Sequence, residues 1–166
     1  DMSVLLNIQK TDALTGLVRV LASQIGNLVN VAELSNTLGL SAQTVKQYLW
    51  YLEKTYIVRK ITPYFKNVRK EITKAPTYYF IDLGLRNYAT NQFGSATLSP
   101  GGFLFENFVH NSLMSYLKLT SITIHFWRTQ DKAEVDFVLD TALKAIPVDV
   151  KYTHLKSPEV SRSFRS

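Results

Sequence analysis

Glu134-Val135-Asp136-Phe137-Val138-Leu139, followed by Ile146-Pro147-Val148-Asp149-Val150-Lys151, is the stretch on which the fold turns. Both runs are short and largely apolar, and they read as neighbouring strands. Carboxylates and a lysine inside strands buried on both faces are costly unless something there needs charge. A strand rises about 3.3 Å per residue and alternates faces, so Asp149 and Lys151 point the same way. If the two runs pair as a hairpin, Asp136 reaches the same spot. Two or three convergent carboxylates can hold Mg²⁺ through oxygen ligands and the ion's retained waters. A lysine beside them can stabilise charge on an attacked phosphate or orient the attacking water. Those are the parts of a metal-dependent phosphodiesterase. A plainer reading stands beside it: a solvated ion pair at strand ends, worth under about 1 kcal/mol.

Upstream, Gly101-Gly102 opens a helical stretch from Phe103 to Leu117, with Phe105, Val109, Leu113 and Leu117 at helical spacing. Glu106 falls in its first turn, where the helix dipole alone would favour a carboxylate by about 0.3–1 kcal/mol. The order is then a helix with Glu106, a strand Ile122–Arg128, a strand Glu134–Asp140 and a strand Ile146–Tyr152. That series resembles the core of the PD-(D/E)xK nuclease-like superfamily. The resemblance implies Glu106, Asp136 and Asp149 as ligands of Mg²⁺ and Lys151 as the catalytic lysine. Glu134 would be a further ligand or a support for one. The first signature aspartate follows Val135 where the motif has a proline.

At 166 residues the chain holds one ordinary domain or two small ones. An apolar content of 46% with 12% aromatic residues supports a core and argues against disorder. No apolar run approaches the ~18 residues needed to span a bilayer. No signal-peptide pattern opens the chain, and it has no cysteine. Disulfides and cysteine-based zinc sites are thereby excluded, and a reducing cytoplasm is the expected location. The net charge of +6 is unevenly spread: residues 1–100 carry eleven Lys/Arg against six Asp/Glu, and the remainder eight against seven. The basic excess belongs to the first part, where a polyanion would be met.

That part has its own signature between Val31 and Tyr48: helix, tight turn, second helix. Gly39 supplies the positive φ that ends the first helix, Leu40 plugs the turn, and Ser41 caps the second. Val45, Tyr48, Leu49 and Leu52 make a buried stripe. The pattern matches a DNA-binding helix-turn-helix. Gln43, Thr44, Lys46, Gln47 and Trp50 then face outward, and the first four suit phosphates or base edges. Trp50 is less expected in a groove and suits packing on a neighbouring domain. Tyr56–Tyr64 reads as a strand, Lys66–Lys74 as a charged loop and Thr77–Ile81 as a returning strand. This is the hairpin of a winged helix. Arg59, Lys60, Lys66, Arg69, Lys70 and Lys74 face a single acid, Glu71, with Tyr64 and Phe65 interleaved. Such a wing suits phosphate contact along a duplex. The alternative is a wing that serves only contacts between domains or proteins.

Before the turn motif, Leu14–Ile25 reads as a helix packing on the winged-helix core. Asn91–Gly102 is rich in turn formers and marks the domain boundary. The expected division is 1–92 for the leading helix and winged helix, 93–102 for a linker, and 103–166 for the nuclease-like core. His110, His125 and His154 show no metal-ligand spacing and read as core or solvated histidines. Asp131 reads as a hairpin turn residue, and Gln130 as a turn position beside the site.

Several segments in order carry a closer resemblance: Leu21–Gly26, Thr44–Leu49, Pro63–Lys70, Tyr79–Tyr88, Phe105–Val109 and Ala133–Val138. Together they resemble the C-terminal region, of the domain of unknown function 4143 type, that follows the ATPase module in a large family of prokaryotic AAA+ proteins. The resemblance spans nearly the whole chain. It implies an α/β (α+β) chain in which a winged helix-turn-helix precedes a PD-(D/E)xK restriction-endonuclease-like core. ATP would enter only through a module absent from this sequence, which has no G-x-x-x-x-G-K-[ST] loop. The superfamily expects a further helix and strand after Lys151, so the core reads as C-terminally incomplete, with a sheet edge suited to pairing with a second copy. The expected partners are DNA and the chain's own ATPase module, with no membrane. The leading expectation is DNA binding with Mg²⁺-dependent phosphodiester hydrolysis. Its rival is a non-catalytic interaction module of the same ATPase.

Overall fold

Thirteen residues from Thr11 to Ser23 form α1, the first helix among the described residues, because Leu14, Leu17, Leu21 and Ala22 fall on one face and are buried. The structure, a computed structural model, describes residues 11–65, 74–92, 101–129 and 133–153. It is a mixed α and β chain that divides into two compact units. One comprises Asp1–Lys60 with Thr77–Ala96, the other Ile61–Pro76 with Thr97–Ser166.

In the first unit, Asn30 caps helix α2 (Val31–Leu38) by accepting from the Ala32 amide at 2.9 Å. Gly39 ends it in the left-handed region at φ 61, and Leu40 N–H closes the turn on Ser35 O at 3.0 Å. Ser41 Oγ then accepts from Thr44 N at 3.1 Å and starts helix α3 (Ala42–Lys54). Val45, Tyr48, Leu49 and Leu52 are its buried stripe, as the spacing predicts. Strands β1 (Val58–Ile61) and β2 (Thr77–Phe80) form a two-stranded sheet. The expected strand from Tyr56 to Tyr64 is thus shorter at both ends. Tyr56 takes φ 58, a conformation no strand residue adopts.

A short helix that the sequence reading does not separate, α4 (Leu83–Ala89), follows β2. Asp82 caps it, accepting from the Gly84 and Leu85 amides at 2.7 and 3.1 Å. Arg86 is buried and donates from Nε to Ala22 O at 3.0 Å and from Nη1 to Gln92 Oε1 at 2.6 Å. Burial lowers its pKa, but a guanidinium stays charged at any ordinary pH. Its hydrogen bonds tie α4 to the end of α1.

The second unit holds helix α5 (Gly101–Leu117) and a three-stranded antiparallel sheet. Its strands are β3 (Thr123–Arg128), β4 (Glu134–Asp140) and β5 (Ala145–Val148), in that order. Ile124, Phe126, Val135, Phe137 and Val138 are buried. A register shift between His125 and Trp127 marks a β-bulge in β3. On the far edge of β3, Thr62–Tyr64 runs alongside with a parallel bridge between Pro63 and Phe126. Phe126 N–H donates to Thr62 O at 3.3 Å, and Tyr64 N–H to Phe126 O. His125 is held between hydroxyls, Thr62 Oγ1 at 3.2 Å from Nδ1 and Thr123 Oγ1 at 2.9 Å from Nε2. This grouping of Ile61–Pro76 with the second unit differs from the sequence division at residues 93–102.

Candidate functional site

The β4–β5 register builds the site. Phe137 is opposite Val148, the last pair of that ladder. One step further along the antiparallel register, Asp136 and Asp149 would stand opposite each other. The ladder stops at that step. Instead, Val150 N–H donates to Asp136 Oδ2 at 2.7 Å and holds the outgoing chain on β4. Asp149 and Lys151 therefore lie just past the end of β5, not within a strand reaching Tyr152 as the sequence suggests. They still meet: Lys151 Nζ is 2.8 Å from Asp149 Oδ2, with the lysine side chain 46% exposed and the aspartate 14%.

Asp136, Asp149 and Lys151 are thus brought together. Burial pushes the Asp136 carboxyl up to about 6, and its contact with the Asp149 carboxyl adds to the rise. The Val150 amide and the Lys151 charge act the other way. Lys151 is raised above the usual lysine range, first by its hydrogen bond to Asp149 and further by the fields of Asp136 and Glu134. Glu134 has its own partner, Arg128 Nε at 3.1 Å, across the β3–β4 pair in which the two residues face each other. Sequence reading passes over Arg128. The signal for it is register arithmetic, available only once the hairpin length is known.

Glu106 is buried on α5 beside buried Asn107 and His110, while Phe105, Val109, Leu113 and Leu117 are only half-buried. The helix turns a polar face inward, and the His110 ring lies 5.9 Å from that of Phe137. Among the described residues no group of three or more His, Cys, Asp or Glu side chains is gathered closely enough to hold a metal. Glu106, Asp136 and Asp149 therefore do not form the three-ligand set that the motif order implies. Two carboxylates and a lysine do converge.

The candidate nucleic-acid residues fall on α3 and the following strand. Gln43, Lys46, Gln47 and Lys60 are exposed, and Thr44 and Arg59 half-buried. Gln47 donates to Tyr51 Oη at 2.7 Å. Lys74 is exposed, whereas Lys66, Arg69 and Lys70 lie outside the described residues, as do Gln130, Asp131 and His154. Trp50 is 53% exposed and stands edge-on to Tyr51, with Lys54 Nζ 6.0 Å from its ring centroid.

Among the described residues no helix is long and apolar enough to cross a membrane. Residues 1–96 match the family described as Domain of unknown function (DUF8612), and residues 101–166 match Domain of unknown function (DUF4143). Uncharacterized proteins of Mycobacterium bovis and Mycobacterium tuberculosis are each 31% identical over 150 residues, which is 89% of this chain and 33% of theirs. An uncharacterized protein of Haemophilus influenzae is 24% identical over 157 residues, 92% of this chain and 37% of its own length. The chain thus spans about a third of the length of these relatives. No solved structure matches it.

Proposed function

The chain belongs to the DUF8612 family, and we propose that it is the DNA-binding C-terminal region of a prokaryotic, cytoplasmic AAA+ protein with a Mg²⁺-dependent nuclease-like site. In this reading α2, α3 and the β1–β2 hairpin are a winged helix, and the second unit is a PD-(D/E)xK-like core. The observation that carries it is the meeting of Asp136, Asp149 and Lys151 at one end of the β4–β5 pair. The relatives' greater length supports a further module in the whole protein.

The residues fit a hard divalent cation. Burial, with the Asp149 carboxylate adding to it, pushes Asp136 up to about 6, and a bound cation would relieve both causes by favouring the ionised carboxylates. Mg²⁺ is commonly held by one or two carboxylates and keeps its remaining waters, so a third ligand is not required. Asp136 and Asp149 would hold it, with Glu106 the motif's third position. A bound ion would supply Lewis acidity toward a phosphate oxygen and a water. Lys151, oriented by Asp149, offers its remaining N–H donors to a phosphate oxygen or to the attacking water. Val150 N–H keeps Asp136 in its rotamer, so the carboxylate is placed before substrate arrives.

The alternative is a non-catalytic interaction module of the same ATPase, in which the partly exposed Lys151–Asp149 pair is a solvated ion pair and nothing more. The two part on one experiment with the full-length protein. The nuclease reading expects Mg²⁺ or Mn²⁺ binding by calorimetry and cleavage of single- or double-stranded DNA that Asp136→Asn abolishes. No metal binding and no cleavage would leave the interaction module.

A further inference from the structure

We propose that Trp50, Lys54, Tyr56 and Arg59 form a site for one unpaired nucleotide, with its base stacked on the aromatic rings and its phosphate held by the two cations. This deepens the DNA-binding reading and rests on it. It assigns a preferred substrate: a duplex ending in, or interrupted by, a single strand.

Four observations converge at the end of α3. Trp50 and Tyr56 are 53% and 74% exposed, large rings left in water beside a core that has taken Tyr48 and Tyr78. Lys54 lies over the Trp50 ring and also lines, with Tyr56 and Arg59, a cleft of about 230 Å³ to which Val58 and Ile81 contribute as well. Lys54 is thus common to the Trp50 ring and to the cleft. Tyr56 takes φ 58, where glycine is the ordinary choice, so an exposed ring is kept at a position whose backbone disfavours it. Finally, two cations line the cleft against one acid, Glu53, which suits a phosphate.

A stacking platform selects for unpaired bases because a base inside a duplex has both its faces covered by neighbours. Exposed aromatic rings with adjacent cations are the usual means of holding single strands, and they tolerate any sequence because every base has a π-face.

The test uses the full chain and three labelled probes in anisotropy titrations: a blunt duplex, the same duplex with a short thymidine overhang, and oligothymidylate. The overhang is expected to tighten binding by about tenfold, the order of one stacked base. Trp50→Ala and Tyr56→Gly should each erase that gain and leave the blunt duplex bound as before. Tyr56→Gly should also raise the melting temperature, because it relieves the backbone, so its lost binding cannot be put down to unfolding. Equal affinity for blunt and overhanging duplexes overturns the proposal and leaves the DNA-binding reading intact. So does an overhang preference that survives both substitutions, which would place the preference elsewhere in the chain. Failure to bind any of the three probes overturns both.

Discussion

Val150 gives its backbone N–H to the side chain of Asp136, and this 2.7 Å bond fixes Asp149 and Lys151, on either side of Val150, beside the same carboxylate. A residue of β4 thereby anchors the segment that leaves β5, and the site exists because the ladder ends one residue early.

That carboxylate gives the chain a pH dependence of definite sign. The folded Asp136 holds its proton up to about pH 6, whereas the unfolded chain releases it near 3.8. Its contribution to stability is present below the unfolded value and is lost as pH rises through about 6. Asp136→Asn keeps an acceptor for Val150 and never ionises. Urea unfolding should show variant and parent alike near pH ~4, with the variant ahead at pH ~8. The gap should be about 1 kcal/mol, after discount for the solvent that reaches a half-exposed group. Mg²⁺ should narrow it at the higher pH only. A gap that shrinks with rising pH would contradict the assignment.

Lys151→Ala separates chemistry from architecture. Its ion pair with Asp149 is partly solvated, so removal should cost under about 1 kcal/mol. Calorimetric Mg²⁺ affinity should hold or rise, since a competing positive charge is gone. Cleavage by the full-length protein should fall by at least about a hundredfold, the range of a lost electrostatic stabiliser. Retained cleavage would remove Lys151 from the mechanism.

On the first unit, Lys46→Ala with Lys60→Ala should weaken binding to unrelated duplexes about equally. Two lost phosphate contacts should flatten the slope of log K against log salt by about 1.8. Both lysines are exposed, so circular dichroism should be unchanged. An unaltered slope would move this unit to the interdomain reading.

The turn between α2 and α3 is testable without DNA. Nothing lies within 4 Å of a Cβ built on Gly39, so Gly39→Ala meets no clash and pays only for φ 61, about 1 kcal/mol. Ser41→Ala removes the cap on Thr44 N at a similar cost of about 1 kcal/mol. The two sites are near neighbours, so a double variant that departs from the sum would report coupling across the turn.

The parts legible in the sequence are those whose causes are local. Gly39, Ser41 and the Val45–Leu52 stripe act within a few residues of themselves and can be read at sight. Strand β4 has the observed bounds because its alternation and flanking turn signals are local too. What escapes is set by distant partners. No pattern near Thr62 announces pairing with Phe126, some sixty residues away. On α5 the apolar spacing points to Phe105, Val109, Leu113 and Leu117, but burial favours Glu106, Asn107 and His110. That choice depends on what faces the helix, and Phe137 beside His110 belongs to β4. Strand alternation places Asp149 and Lys151 together correctly in outcome, though through an ion pair beyond the strand rather than through its pleat.

The edge pairing of Thr62–Tyr64 on β3 bears on how such a chain could be dissected or recombined. The polypeptide leaves the first unit at Lys60 and re-enters it at Thr77. A protein begun at residue 103 would retain every candidate catalytic side chain yet lose the strip lying along β3. Expressed alone, it would present the N–H and C=O groups of Phe126 unpaired and be inclined to self-associate. An exchange between relatives that keeps Thr62–Tyr64 with β3 must therefore carry the chain from residue 61 onward, residues 77–96 of the first unit included.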